Sequence, residues 1–143
     1  MTEDTEGLAE LAATVVKFHI GMHKMRHKRI QQGNKRMLYF SSTYNRMMMS
    51  RVMLKAYYES KPLTVAEITK LIGTSRNAVV TMVDECLSQD WIEAPTRLKY
   101  QATYSHAKFF EENYMSDWIE NVVDTGIYNE IFMFLVNQLD VKK

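Results

Sequence analysis

The chain has 143 residues, a formal net charge of +1, two prolines, five glycines and a single cysteine. That length suits one domain with a proper core, and so little proline and glycine leaves small room for linkers, so one compact unit over 1–143 is expected. The lone Cys86 excludes an intrachain disulfide and a thiolate zinc site, the acidic MTEDTEG start is unlike a secretory signal, and IFMFLV at 131–136 is too short to span a bilayer, which predicts a cytoplasmic protein with no membrane partner.

Residues 5–32 are predicted as one long helix, with Leu8, Leu11, Val15, Phe18, Met22 and Met25 alternating three and four apart as in a coiled-coil seam. Arg29 and Gln32 end the seam, and Gly33-Asn34 stops the helix. A helix this long in so short a chain points to a partner subunit rather than to internal packing alone. His19, His23 and His27 share one helical face at a spacing that suits a metal, but no carboxylate accompanies them within the helix, so a solvated or dimer-facing stripe is expected and no metal or other cofactor.

A second helix is predicted from Ser42 or Thr43 to Glu59, stopped by Ser60-Lys61-Pro62. Its Met47, Met48, Met49 and Met53, with Tyr44, Tyr57 and Tyr58, read either as plain core or as an adaptable ligand pocket. Thr64 is placed to cap a third helix over 65–72, with Glu67 completing a capping box. That helix is expected to bury Ala66, Ile68 or Thr69, and Leu71-Ile72, and to end at Gly73. Thr74 or Ser75 caps a fourth helix reaching Gln89, whose inner face is Val79, Met82, Val83, Cys86 and Leu87. Ser75, Arg76, Asn77, Val80, Thr81 and Asp84 are left outside.

WIEAP and KYQAT read as two short strands with Thr96-Arg97-Leu98 at their tip and Pro95 at an edge or turn mouth. A fifth helix is predicted from His106 to Asp124, and a sixth from Ile127 to Leu139 that is apolar on nearly every side, with Ile127, Ile131 and Leu135 expected between subunits. Short helix, tight turn, longer helix and ribbon is the order of a winged helix-turn-helix. The expected fold is therefore mainly α with a small β-wing: a lobe over 42–104 flanked by dimerisation helices at 5–32 and 105–143.

With LTVAEITKLIG, TSRNAVVTMVDECL, WIEAP, Arg97 and Thr103 in place, the chain resembles the MarR family of bacterial transcriptional regulators. The resemblance implies a homodimer built from intertwined terminal helices, a fourth helix that enters the major groove of DNA, and a wing arginine that reaches the minor groove. Many family members release DNA when a small, often aromatic, ligand binds between the dimer region and the DNA-binding lobes. Ser75, Arg76 and Asn77 match the family's start of the recognition helix, and Arg97 matches its wing arginine. The chain departs from the pattern at Thr81, where the family usually has arginine, at Asp90, where it usually has glycine, and in its shorter wing.

Arg76 suits a bidentate contact to guanine, Asn77 one to adenine, and Ser75 and Thr81 contacts to phosphate or a thymine methyl. Thr64 and Thr74 at the helix starts, Lys99 beside Arg97 on the wing, and Arg46 and Arg51 on the neighbouring helix complete the candidate interface with double-stranded DNA. From Leu11 to Tyr58 there are ten Lys and Arg and no acid, whereas Lys61–Thr103 holds five bases and five acids, so the reading head itself is neutral. No glycine-rich phosphate loop, HExxH or GxSxG is present, and an enzyme is not expected. The expected function is sequence-specific regulation of transcription by a homodimer. The runner-up is a winged-helix dimer that serves as a protein-interaction module or a sequence-tolerant nucleoid or replication accessory.

Overall fold

The computed structural model describes residues 3–141 and is mainly helical, with one two-stranded antiparallel sheet. In chain order the elements are α1 (Glu3–Gln31), α2 (Lys35–Ser41), α3 (Tyr44–Glu59), α4 (Val65–Ile72), α5 (Arg76–Ser88), β1 (Ile92–Thr96), β2 (Lys99–Ala102), α6 (Tyr104–Phe109), a π-helical turn (Phe110–Met115), α7 (Ser116–Thr125) and α8 (Ile127–Val141). Where composition points to one compact unit, the backbone packs as two: Gln32–Asn113, and the segment up to Gln31 together with that from Tyr114.

The Gln32–Asn113 unit holds the main apolar core, in which Met49, Met53, Ile68, Val79 and Cys86 are fully enclosed and Phe40, Trp91, Ile92 and Tyr100 close the sides. Side-chain caps fix where its helices begin. Thr43, Thr64, Ser75 and Thr103 each accept a hydrogen bond from the backbone N–H three residues on, and Glu67 returns the bond at Thr64 as the capping box requires. Gly73, at φ 79°, provides the left-handed turn between α4 and α5.

Three features of this unit depart from expectation. A short helix, α2, follows Gly33, and Asn34, read above as part of a stop, is its N-cap, accepting from Met37 N at 2.9 Å. In α4 the buried residues are Ile68 and Ile72, while Ala66 and Leu71 face solvent, because two turns of helix can bury only one narrow stripe. The predicted fifth helix begins at Tyr104 rather than His106, since Thr103 is a cap and not a strand residue, and it is interrupted by the π-helical turn.

The sheet explains the position of Pro95. Glu93 pairs with Gln101 and Thr96 with Lys99, so Ala94 and Pro95 together oppose Tyr100 across a β-bulge, where no donor is required from the proline. The other edge of β2 is used as well: Tyr100 N donates to Leu63 O at 2.7 Å and Leu63 N returns to Tyr100 O at 2.9 Å. Thr96 is a ladder residue, leaving Arg97 and Leu98 as the two-residue tip.

The second unit packs α1 against α7 and α8. Phe18 meets Trp118 edge-on with ring centroids 6.1 Å apart, and Met22 and Met25 sulfurs surround Asn121 Nδ2. Part of the predicted seam is therefore used inside the chain. Burial here is polar as well as apolar: Asp117 and Asn121 are buried, and Arg29 binds Asp117 through two parallel hydrogen bonds of 2.9 and 2.5 Å. Leu8, Val16, Ile20, Ile119, Val123, Phe132, Leu135 and Leu139 remain exposed. Gly21 lets the two helices approach, since a Cβ there would overlap Asn121 Oδ1. Gly21→Ala is expected to destabilise the protein by ~1–3 kcal/mol despite alanine's better helix propensity. A double-mutant cycle with Asn121→Ala in thermal unfolding checks the cause: the two costs should be markedly less than additive, and additive costs would contradict the close approach.

Candidate nucleic-acid interface

The outer surface of α5 is built by burial of its inner one. Val79, Met82, Val83 and Cys86 enter the core, which leaves Arg76, Asn77, Val80, Thr81, Asp84 and Ser88 exposed on the opposite side. Ser75 Oγ accepts from Ala78 N at 3.1 Å and thereby fixes the first turn, and Thr81 Oγ1 donates to Asn77 O at 3.0 Å. Arg76, Asn77 and Thr81 thus lie on the exposed face with Ser75 at its N-terminal edge, and the Ser75 and Thr81 hydroxyls are engaged with the helix backbone. Asp84 shares that face, and Arg76 is its one cation.

Arg97 and Lys99 stand exposed at and beside the hairpin tip, where Leu98 holds a left-handed φ of 60° and is itself exposed. Thr64 and Thr74 are half-buried and already engaged. Thr64 forms the capping box, and Thr74 Oγ1 accepts from Asn45 Nδ2 at 3.1 Å, tying the turn before α5 to the start of α3.

Arg46 and Arg51 are half-buried and already engaged as well. The Arg46 guanidinium lies 4.5 Å above the Tyr39 ring, donates to Ser42 Oγ at 2.9 Å and pairs with Glu85 at 3.5 Å. The Arg51 guanidinium lies 5.1 Å from the Phe110 ring. Both cations act in packing α3 against its neighbours, an arrangement that helical periodicity alone does not reveal.

The Met and Tyr residues of α3 divide. Met49 and Met53 are core, Tyr44 and Tyr58 are exposed, and the Tyr58 hydroxyl donates to Glu111 at 2.6 Å. An open groove of about 360 Å³ lies instead against α2, the start of α3 and the end of α5, with Lys35, Tyr39, Arg46, Glu85 and Trp91 on its walls. Nothing in the sequence marked it, because Lys35, Tyr39 and Trp91 belong to segments read as loop or strand. The His19 and His23 rings stack 6.4 Å apart, and among the described residues no three His, Cys, Asp or Glu converge as a metal site would need.

Two buried titratable groups are displaced from their ordinary values. Burial pushes the Cys86 thiol up to about 12, which keeps it protonated and unreactive within the core. His106 is buried against Phe40, its Nε2 is 2.9 Å from Ser50 Oγ, and its Nδ1 has no hydrogen-bond partner. Desolvation, then repulsion from Arg36 and Arg51, pushes the imidazole down from 6.5 to about 3. The folded protein therefore binds fewer protons than the unfolded chain between those values. Acidification from the unfolded value towards about 3 should remove stability at up to ~1.4 kcal/mol per pH unit. Urea unfolding between about pH 7 and 5 is expected to show this fall in the parent and a flatter profile in His106→Gln, and equal slopes would contradict the assignment.

No protein-family model, curated protein or solved structure matches this chain.

Proposed function

We propose that this chain is a winged helix-turn-helix protein, a divergent relative of the MarR family, that binds double-stranded DNA as a homodimer in the cytoplasm and regulates transcription. In this reading α4 and α5 are the helix-turn-helix, α5 is the recognition helix, and the β1–β2 hairpin is the wing. The observation that carries it is the joint exposure of Ser75, Arg76, Asn77 and Thr81 on one face of a helix whose other face is locked into the core. A wing with exposed Arg97 and Lys99 follows directly in sequence. Side chains of these types at the start of a helix suit base edges and phosphates in a major groove, with the wing adding backbone contacts. The exposed apolar residues of α1, α7 and α8 favour the homodimer, since so many uncovered large side chains mark an interaction surface. A small aromatic ligand also belongs to the reading, and the groove beside Tyr39 and Trp91 offers aromatic walls for it.

Asp84 and the half-exposed Val80 on the same face favour a second reading, in which the winged-helix dimer is a protein-interaction module or a sequence-tolerant nucleoid or replication accessory. Selection from random duplexes at physiological salt separates the two, with a recovered palindrome of one-turn half-site spacing supporting the regulator and no enrichment supporting the alternative. On a selected duplex Arg76→Ala is expected to cost ~1–3 kcal/mol and to relax sequence preference at one position. Arg97→Ala should weaken binding across sequences and reduce the salt slope by about one. Both variants binding like the parent would remove this surface from the account.

A further inference from the structure

The solvent-facing side of α1 carries an ordered charge pattern that internal packing does not use. Glu6, Glu10, Lys17, Lys24 and Lys28 are all exposed and are spaced 4, 7, 7 and 4 residues apart, a palindrome centred on Lys17. At about 100° per residue they fall within about 40° of arc, so they form one lane along the helix. Next to that lane lie Ala9, Ala13, Val16 and Ile20, exposed and apolar, with Val16 and Ile20 at 55% and 49% accessibility. This is the side away from Phe18, Met22 and Met25, which meet α7.

We propose that this face of α1 docks on the same face of a second copy of the chain. The two helices run antiparallel about a two-fold axis at Lys17, and Glu6 and Glu10 of each meet Lys28 and Lys24 of the partner subunit. The inference rests on the homodimer reading and specifies where that dimer joins. In an isologous contact residue i meets j and j meets i, so acids and bases placed symmetrically about one point pair in both directions. Antiparallel packing also brings a flanking lane against the same lane of its partner, whereas parallel packing would turn the two charged lanes to opposite sides of the pair. The small side chains of Ala9 and Ala13 allow close approach, and Val16 and Ile20 are covered near the axis. Lys17 meets its own counterpart there and opposes the association, its ammonium turning out to solvent on its flexible stem.

Charge reversal tests the arrangement with the full chain. One variant carries Glu6→Lys and Glu10→Lys, and the other carries Lys24→Glu and Lys28→Glu. Circular dichroism establishes that each is folded, and sedimentation at low salt with native mass spectrometry gives the dimers formed alone and in an equimolar mixture. The parent is expected to be dimeric and each variant to self-associate at least about tenfold more weakly. Their mixture should form mixed dimers well beyond the random share, and Lys17→Ala should associate more tightly than the parent. A dimeric parent whose variants mix at random would overturn the α1 pairing while leaving the homodimer intact. A monomeric parent would overturn both.

Discussion

The exposed face of α5 exists because its other face is committed. Val79, Met82, Val83 and Cys86 share one core with Met49, Met53, Ile68 and Trp91, and rotating α5 to present different residues would bring Asn77, Thr81 or Asp84 into apolar surroundings. The caps add a second restraint. Ser75 sets the first residue of the helix, Thr74 is held by Asn45, and Arg46 holds Glu85 near the far end, so α5 is fixed at both ends to α3. A contact surface of the kind proposed for α5 needs this support, since misplacement of the helix would lose several contacts together.

The two units are constructed on different principles. Gln32–Asn113 has an apolar core of ordinary kind, with His106 its one buried imidazole. Among the described residues of the α1, α7 and α8 unit few are buried, and two of these, Asp117 and Asn121, are polar and bonded to Arg29 and to backbone or methionine sulfur. Separating α1 from α7 would leave such groups without their partners, which ties these two helix faces together. The wide apolar surface left uncovered is the physical reason for expecting association, and the palindrome of charge on α1 adds a direction to it.

Much of this was legible in the sequence where local chemistry dictates local structure. The Thr64–Glu67 capping box, the Gly73 turn, the inner face of α5 and the hairpin around Arg97 all follow from short-range rules, and each was found within a residue or two of its expected place. Helix α2 was hidden because seven residues are too few for a period, and its cap Asn34 doubles as a plausible stop for α1. The π-helical turn carries no glycine or proline to announce it, although Asn113 Nδ2 within it donates to Phe109 O, at the end of α6, at 2.8 Å. Of the candidate site, the residues on α5 and the wing were readable as exposed. The engagement of Arg46 with Tyr39 and Glu85, and of Arg51 with Phe110, was not, because both depend on partners far away in sequence.

The outer face of α5, with the hairpin, is the surface proposed to meet duplex DNA. The most direct measurement is an amide chemical-shift map of the isotope-labelled protein titrated with a short duplex at low salt. Shifts concentrated at 75–84 and 97–99 are the expected result. Shifts confined to α1 or α8, or no shifts at all, would contradict it.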